Sequence, residues 1–256
     1  MLGLPPVASA HGHEVDTLIL LLHLLMLVLF IGWGIFFVYV LLRFRKSVNP
    51  KANYHGLDSH VSSIVEIAIV VAEVVLLFGF SIPFWAKQVN AFPNRPDTLE
   101  VRVVAEQFAW NIHYPGKDGI FGKTDVKLVD NQNNPMGIDM SDPHAKDDFT
   151  TVNQLHLPVG RPVLVHLSSK DVIHAFSLNS MRVKQDVIPG LSIPTWFVPT
   201  KMGDYDIGCA QLCGIGHYRM KGFMKIHSQE SYDQWVSEQS TLGGGSDEGG
   251  EDSFWN

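Results

Sequence analysis

Two long apolar runs dominate the first hundred residues of the chain. The first, Thr17 to Leu42, contains no Lys, Arg, Asp or Glu. A helix rises about 1.5 Å per residue, so this run is long enough to cross a hydrocarbon core of about 30 Å. The second, Ile64 to Trp85, also has spanning length, although it contains Glu66 and Glu73. The pattern predicts two transmembrane helices that form a hairpin.

From about Thr98 the apolar positions follow the period of strands. Alternating, β-branched and aromatic segments recur, with Pro and Gly turn signals roughly every ten residues. The segments are 99–104, 107–114, 153–157, 162–167, 175–178, 195–199, 203–207 and 222–227. The polar stretch 117–150 reads as a long connection, and 231–239 as a final helix. This spacing predicts an exported all-β domain, an antiparallel sandwich or barrel.

These patterns divide the chain into four parts. We expect an exported N-terminal tail at 1–16, the transmembrane hairpin at 17–90, the β domain at 91–239 and a tail at 240–256. The last part is acidic and rich in glycine, which is typical of a flexible segment.

Charge orients the hairpin. The loop between the apolar runs carries Arg43, Arg45, Lys46 and Lys51 against one acid, Asp58, while the N-terminal tail has no Lys or Arg. Basic residues in short loops favour the cytoplasmic side. We therefore expect an integral protein of the bacterial inner membrane, in contact with lipid, whose two termini and β domain face the periplasm. The chain has a formal charge of −7, and no nucleic-acid partner is expected.

The extreme N-terminus carries a further signal. Ala8-Ser9-Ala10 resembles a signal-peptidase site. The residues before it, however, lack a basic n-region and a full apolar h-region. The sequence leaves open whether a signal peptide precedes the first residue.

The only two cysteines of the chain stand in Cys209-Ala-Gln-Leu-Cys213-Gly-Ile-Gly-His217-Tyr-Arg-Met220. Two cysteines in an exported domain most often form a disulfide. A bridge closing so short a loop would stabilise little, and would have no use for His217 and Met220. Zinc is a second alternative, but its usual signature has two separated ligand pairs. Two thiolates, an imidazole and a thioether suit copper in electron transfer, and two nearby sulfurs permit bridging of two copper ions.

Such a copper site needs a second imidazole, and the candidate is His174. It follows a polar turn and opens an apolar strand in Ser168-Ser-Lys-Asp-Val-Ile-His174-Ala-Phe-Ser. That position is the rim of a domain. Taken alone, a histidine there would be a surface residue, or one whose ring nitrogens are hydrogen-bonded within the fold. The cysteine loop makes it a candidate ligand.

Together, Asp171-Val-Ile-His174-Ala-Phe and Cys209-x-x-x-Cys213-Gly-x-Gly-His217-x-x-Met220 resemble subunit II of the haem–copper cytochrome c oxidases. The similarity covers about residues 15–235. It implies a two-helix transmembrane hairpin followed by an all-β, cupredoxin-like Greek-key sandwich with a binuclear copper centre, Cu-A. The implied ligands are His174, Cys209, the main-chain carbonyl of Gln211, Cys213, His217 and Met220. The two thiolates would bridge the coppers, and Met220 would be a weak ligand to one of them.

The sequence departs from the family at the neighbouring magnesium site. At position 211 the family commonly has a glutamate whose carboxylate also helps bind magnesium at the boundary with subunit I. Gln211 is neutral and a weaker ligand for a hard cation. Asp186 matches the other carboxylate of that site, which leaves magnesium a less strongly supported cofactor than copper.

The resemblance also implies routes for electrons and protons. The family often has an aromatic run after a glutamine. Here Gln107-Phe108-Ala109-Trp110 gives Phe108 and Trp110 as candidates for electron uptake, although core packing is an equal reading for Trp110.

Glu66 resembles a glutamate that the family places at the mouth of a proton channel in subunit I. The alternative is a carboxylate that simply lies at the cytoplasmic interface of the membrane. Acids within membrane spans are usually functional. No family role is known to us for Glu73, where the family tends to have proline.

The implied function is electron relay. The chain would take electrons from a c-type cytochrome, or from a tightly associated cytochrome donor, and pass them to haem in subunit I, beside other oxidase subunits. Asp204 and Asp206 would favour a basic donor, and a solvated acidic rim is the equal alternative. No Cys-x-x-Cys-His occurs, so this chain carries no c-type haem site, and we expect no catalytic residue for oxygen reduction on it.

Three rival functions remain. A quinol oxidase subunit shares the fold but lacks the copper ligands that this sequence retains. A Cu-A subunit of another respiratory reductase, of the nitric oxide reductase type, is a second alternative; a nitrous oxide reductase is expected to carry a large propeller domain that this sequence lacks. The third is a non-catalytic copper-binding membrane protein.

Overall fold

The computed structural model describes residues 3–51, 54–55, 59–93 and 95–242. It divides into two compact units, of which one is Glu14–Ala91 and the other joins Met1–His13 to Phe92–Asn256. The second unit is therefore discontinuous in sequence. The predicted tail 240–256 lies outside the described residues from position 243 onward, and its flexibility stays a prediction.

The first unit consists of apolar helices. Helix α1 is Gly12–Arg43, α2 is Val61–Leu76, and α3, Ile82–Asn90, continues α2 through a π-helical turn. Gly12–Arg43 and Val61–Asn90 are long and apolar enough to cross a membrane, as the sequence predicted. The π turn was not predicted. It ends two residues before Pro83, which has no amide hydrogen to donate to the carbonyl four residues earlier.

The second unit is a sandwich of two five-stranded sheets, which confirms the predicted fold class. Its strands are β1 Leu99–Glu106, β2 Ala109–Tyr114, β3 Phe149–Val152, β4 Gln154–Pro158, β5 Val163–Ser169, β6 His174–Leu178, β7 Val183–Val187, β8 Ile193–Phe197, β9 Gly203–Cys209 and β10 Lys221–His227. Helix α4, Gln229–Leu242, follows. The strand order is β3-β2-β1-β5-β8 in one sheet and β4-β10-β9-β6-β7 in the other.

Two strand pairs differ from the expected antiparallel arrangement. β1 pairs with β5 in parallel, and β10 pairs with β4 in parallel. In each pair several other elements separate the two strands in sequence, which gives the chain the length that a parallel crossover needs. The spacing of turn signals reports only neighbouring strands, so it could not reveal these pairings.

The core lies between the two sheets. Along β1 every second residue is buried, which is the period of a strand with one face on a core. Large side chains of β2, β3 and β6 fill the space, including the fully buried Trp110, Phe149 and Phe176. Trp235 of α4 packs its ring edge-on against Tyr114 and Phe149, with centroid distances of 5.2 and 5.4 Å. The sandwich thus holds both the strands and the final helix in place.

The polar stretch 117–150 is an ordered cover on the outer face of the first sheet. Met136, Ile138 and Ala145 form a small cluster there, with Val104 of β1 packed against it. The fully buried His113 of β2 lies under the same cover. The sequence predicted only a connection, because few apolar residues are needed for so thin a layer.

The N-terminal strap, residues 5–11, is bonded into the sandwich. The amide of Ala8 donates to the carbonyl of Ser180 at 2.8 Å, and the carbonyl of Ala8 accepts from the amide of Thr200 at 2.8 Å. Ser9 is buried and its hydroxyl donates to the carbonyl of Met181 at 2.6 Å. The predicted exported tail therefore includes an element of the β domain.

Candidate metal centre

Three strand ends bring the candidate ligands together. β9 ends at Cys209, the cysteine loop 210–220 follows, and β10 begins directly after it. β6 pairs with β9 so that Phe176 lies opposite Cys209. His174, two residues earlier and the first residue of β6, is thereby placed beside the loop.

The sulfur and nitrogen atoms of five candidate ligands lie within 4 Å of one another in a continuous chain of contacts. Sγ of Cys209 lies 3.7 Å from Sγ of Cys213 and 3.9 Å from Nδ1 of His174. Sγ of Cys213 lies 3.7 Å from Nδ1 of His217 and 3.7 Å from Sδ of Met220. Nδ1 of His174 lies 3.2 Å from Sδ of Met220. The structure thus brings together the five side chains that the sequence proposed as copper ligands.

The sixth candidate ligand is a main-chain atom. The carbonyl oxygen of Gln211 lies 3.2 Å from Sγ of Cys209, while the residue as a whole is exposed. The carbonyl and not the side chain of Gln211 therefore faces the cluster. Replacing this side chain leaves the donor atom in place.

This set of donors fits copper. Both cysteines are free thiols, and with two imidazoles and a thioether they form a soft donor set of the kind that copper electron-transfer sites use. Within the described ranges, His174, Cys209 and Cys213 are the only group of three or more His, Cys, Asp or Glu whose ligand atoms lie close enough to hold one ion, all within 4.8 Å.

Burial controls the protonation of the inner thiol. Desolvation, followed by the neighbouring Cys209, raises the pKa of Cys213 to about 11. Metal binding requires the thiolate, so loading the site with metal releases protons. Cys213 and Met220 are each 3% exposed and His174 is fully buried, whereas Cys209 and His217 are half-buried.

A carboxylate that the sequence left without a role holds His174. Oδ1 of Asp171 lies 2.9 Å from Nε2 of His174, so the ring presents Nδ1 to the sulfur atoms. Burial alone would raise the pKa of Asp171; hydrogen bonds from His174 and from the amides of Val172 and Gln107 lower it below its ordinary value. The spacing of three residues in Asp171-Val-Ile-His174 could have indicated this hydrogen bond from the sequence.

The two aromatic candidates for electron uptake occupy different places. Trp110 is fully buried, and its ring lies edge-on to the imidazole of His174 at 6.2 Å between centroids. Phe108 is half-buried, with the guanidinium carbon of Arg219 5.9 Å from its ring centroid. Of the pair, only Phe108 has surface that a partner protein could touch.

The outer edge of the site is open to solvent. A groove of about 730 Å³ reaches Cys209, His217 and Met220, and is also lined by Asp204 and Asp206 of β9. Three apolar side chains of the loop are strongly exposed: Leu212, Ile215 and Tyr218.

Asp186 and Glu66, the remaining candidates, lie outside the cluster. Asp186 is an exposed residue of β7 whose register partner is Ala175, next to His174. Glu66 lies in α2, in the other unit, and is exposed.

Residues 99–227 match the sequence model of a family described as "Cytochrome C oxidase subunit II, periplasmic domain". "Alternative cytochrome c oxidase subunit 2" of Bradyrhizobium diazoefficiens is 32% identical over 241 residues, covering 93% of this chain and 84% of that protein. "Cytochrome c oxidase subunit 2" of Synechocystis sp. is 30% identical over 253 residues, covering 92% and 75%. The crystal structure of the periplasmic domain of subunit II of cytochrome oxidase (CoxB) of Bradyrhizobium japonicum covers 56% of this chain and 94% of that chain, at 28% identity and a TM-score of 0.42.

Proposed function

We propose that this chain, which belongs to the cytochrome c oxidase subunit II family, is the electron-accepting subunit of a haem–copper terminal oxidase. In this function a c-type cytochrome or an associated donor supplies electrons on the exported side, and haem in subunit I receives them for oxygen reduction. The chain itself carries the relay and no oxygen chemistry.

One observation carries the proposal, namely the convergence of six thiol, imidazole, thioether and carbonyl donors from the cysteine loop, the end of β9 and the start of β6. We propose that the copper ligands are His174, Cys209, the carbonyl of Gln211, Cys213, His217 and Met220. A pair of copper ions held by these residues would supply a one-electron redox couple.

The protein's own contribution is rigidity and exclusion of water. His174 is fixed by its position at the start of β6 and by Asp171. Cys213 and Met220 are buried against the sandwich core. Ligands that are held in this way move little when charge changes, which suits electron transfer.

We propose Phe108 as the point of electron uptake, because its partly exposed ring lies against the cysteine loop. A Cβ at Gly216 would lie 2.6 Å from Cε2 of Phe108, so the ring touches the backbone of the loop. Trp110, fully buried behind His174, would act inside the domain. Asp204 and Asp206 support a basic donor, although Lys221 lies 3.0 Å from Asp206 and offsets part of that charge.

The N-terminal strap supports a topology with two spans. Residues 8–10 are bonded to the same β domain that follows the hairpin, so both must lie on one side of a membrane, which requires an even number of crossings. With the basic loop at 43–51 on the cytoplasmic side, this supports an inner-membrane protein whose β domain is periplasmic. The apolar helices would contact lipid, subunit I and other oxidase subunits.

Two finer roles complete the proposal. Glu66 near the start of α2 would serve proton uptake at the cytoplasmic side of subunit I. We propose Asp186 as the residue of this chain that would bind a magnesium ion at the boundary with subunit I, because Gln211 offers only a neutral amide, a weaker ligand for a hard cation. EPR of the complex with manganese in place of magnesium would test it, since an Asp186→Asn change should weaken that signal.

The test is copper loading of the full chain in detergent, followed by optical and EPR spectroscopy. We expect two coppers per chain and a mixed-valence signal shared over both, lost in Cys209→Ser and Cys213→Ser. Binding of a single copper, or a Cys209–Cys213 disulfide in active protein, would overturn the proposal. Turnover with cytochrome c and oxygen, measured after assembly with subunit I, separates an oxidase from a nitric oxide reductase and from a copper-binding protein without activity.

A further inference from the structure

The tip of the β1–β2 hairpin is inserted into the cysteine loop. Gln107 and Phe108 form the two-residue connection between these strands. A Cβ at Gly214 would lie 2.7 Å from Nε2 of Gln107, and one at Gly216 would overlap the ring of Phe108. The two glycines of the Cys-Gly-x-Gly-His segment therefore leave the space that the hairpin tip fills.

Gln107 forms hydrogen bonds to both halves of the metal centre. Its side-chain amide Nε2 donates to the carbonyl of Cys213 at 2.6 Å. Its backbone amide donates to Oδ2 of Asp171 at 2.7 Å. The other oxygen of Asp171 holds Nε2 of His174 at 2.9 Å. One residue thus joins the cysteine loop to the histidine that comes from a different strand.

We propose that Gln107 is a positioning residue for the metal centre, fixing the separation between His174 and the cysteine loop. The inference rests on the proposed copper function only where it is tested on copper-loaded protein. The hydrogen bonds of Gln107 go to Asp171 and to the Cys213 carbonyl, neither of which is a candidate ligand atom, so its effect passes through these two groups. The bond to Asp171 comes from the main chain, and the bond to the Cys213 carbonyl comes from the side chain, which must therefore carry a donor such as the amide of glutamine.

Glutamate is the replacement that best separates the hydrogen bond of Gln107 from its packing. It has the length and shape of glutamine, but as a carboxylate it only accepts hydrogen bonds. Gln107→Glu therefore keeps the packing, loses the bond to the Cys213 carbonyl and places two acceptors against each other. Losing a hydrogen bond of ordinary strength, about 1.4 kcal/mol, corresponds to roughly a tenfold change in an opening equilibrium.

The experiment compares Gln107→Glu with wild type as full chains in detergent. In metal-free protein, we expect the rate of thiol labelling at Cys209 and Cys213 to rise roughly tenfold, because the loop opens more often. In copper-loaded protein, we expect a shifted midpoint potential and altered copper hyperfine couplings. Gln132→Glu, a matched change at an exposed glutamine of the cover, should alter none of these.

Wild-type labelling rates together with a wild-type potential and spectrum in Gln107→Glu would overturn the inference. If that variant does not fold, Gln107→Ala, which removes the donor without adding charge, provides the same comparison. If wild-type protein fails to bind two coppers, the proposed function is wrong, while the labelling rates of metal-free protein still decide the role of Gln107. A change only in thermal stability would assign Gln107 a merely structural role.

Discussion

His174 and Met220 meet in the buried wall of the metal centre, with Nδ1 of the imidazole 3.2 Å from Sδ of the thioether. One residue begins β6 and the other precedes β10, two strands separated by β9 in the same sheet. Their contact fixes the inner side of the site, where water is excluded.

Replacing Met220 with Leu removes the sulfur and keeps most of the apolar volume. We expect copper to bind still, with a changed optical and EPR spectrum, and a loss of stability below about 1.5 kcal/mol. Met224→Leu is the control, because Met224 is equally buried on β10 but outside the site. Identical copper spectra for the two variants would contradict a role for Met220 as a ligand.

A methyl group at Gly216 should disturb the loop. Its φ of −93° is ordinary, so the cost of Gly216→Ala is steric overlap with Phe108, about 1–3 kcal/mol in the free energy of unfolding. Adding Phe108→Ala should recover part of that loss. Gly208→Ala, where an added Cβ has no neighbour within 4 Å, should cost little; equal losses at both glycines in urea unfolding would refute the steric explanation.

Acid should destabilise the β domain through His156. Its ring stacks on Trp235 at 4.2 Å, and burial, then His227 and Lys225, lower the pKa of His156 to about 4. The unfolded chain binds this proton near pH 6.5, so the stabilisation is complete above that pH and decreases as the pH falls towards about 4.

The measurement is the melting temperature at pH 7.5 and pH 5. The decrease should be smaller in His156→Gln than in wild type. His144 is the control of opposite sign, because its hydrogen bond with Asp118 raises the pKa of His144; its contribution is present at low pH and is lost as pH rises. A His156→Gln variant with the full wild-type decrease would refute the assignment.

Neutralising Glu66 tests the proposed proton uptake. Glu66→Gln in the assembled oxidase should slow turnover severalfold while leaving the copper spectrum unchanged, since Glu66 is not among the candidate copper ligands. Glu73→Gln, seven residues further along the same helix, distinguishes a specific site from a general effect of losing an acid. Unchanged turnover in Glu66→Gln would reject the role.

The sequence was sufficient for those parts of the site that are local in the chain. Cys209, Cys213, His217 and Met220 lie within twelve consecutive residues, and their types and spacing favoured soft metal binding over a disulfide or zinc. His174 was found because a strand end carries it to the rim. Alternation along β1 likewise predicted a strand, since a strand with one buried face has a period of two.

The remaining contacts depend on distant segments. Nothing near Gln107 indicates that its side chain reaches a carbonyl 106 positions away. The same limit applies to the burial of Trp110 and to the cover 117–150, whose small cluster needs the outer face of a sheet to complete it. Parallel pairing of β1 with β5 is also non-local. Turn signals record the neighbours of a strand in sequence, and these contacts join residues that are not neighbours.

The N-terminal strap has a consequence for the order of assembly. Ser9 and its partner Met181 are separated by 172 positions, and the whole helical hairpin lies between them. The strap precedes the hairpin in the chain, whereas its bonding partners Ser180, Met181 and Thr200 follow it. Under the proposed topology, both segments must reach the same side of the membrane before these bonds can form. Under that topology, closing the domain would follow both crossings, and the bonds of the strap would form only when the hairpin is inserted with both of its ends on one side of the membrane.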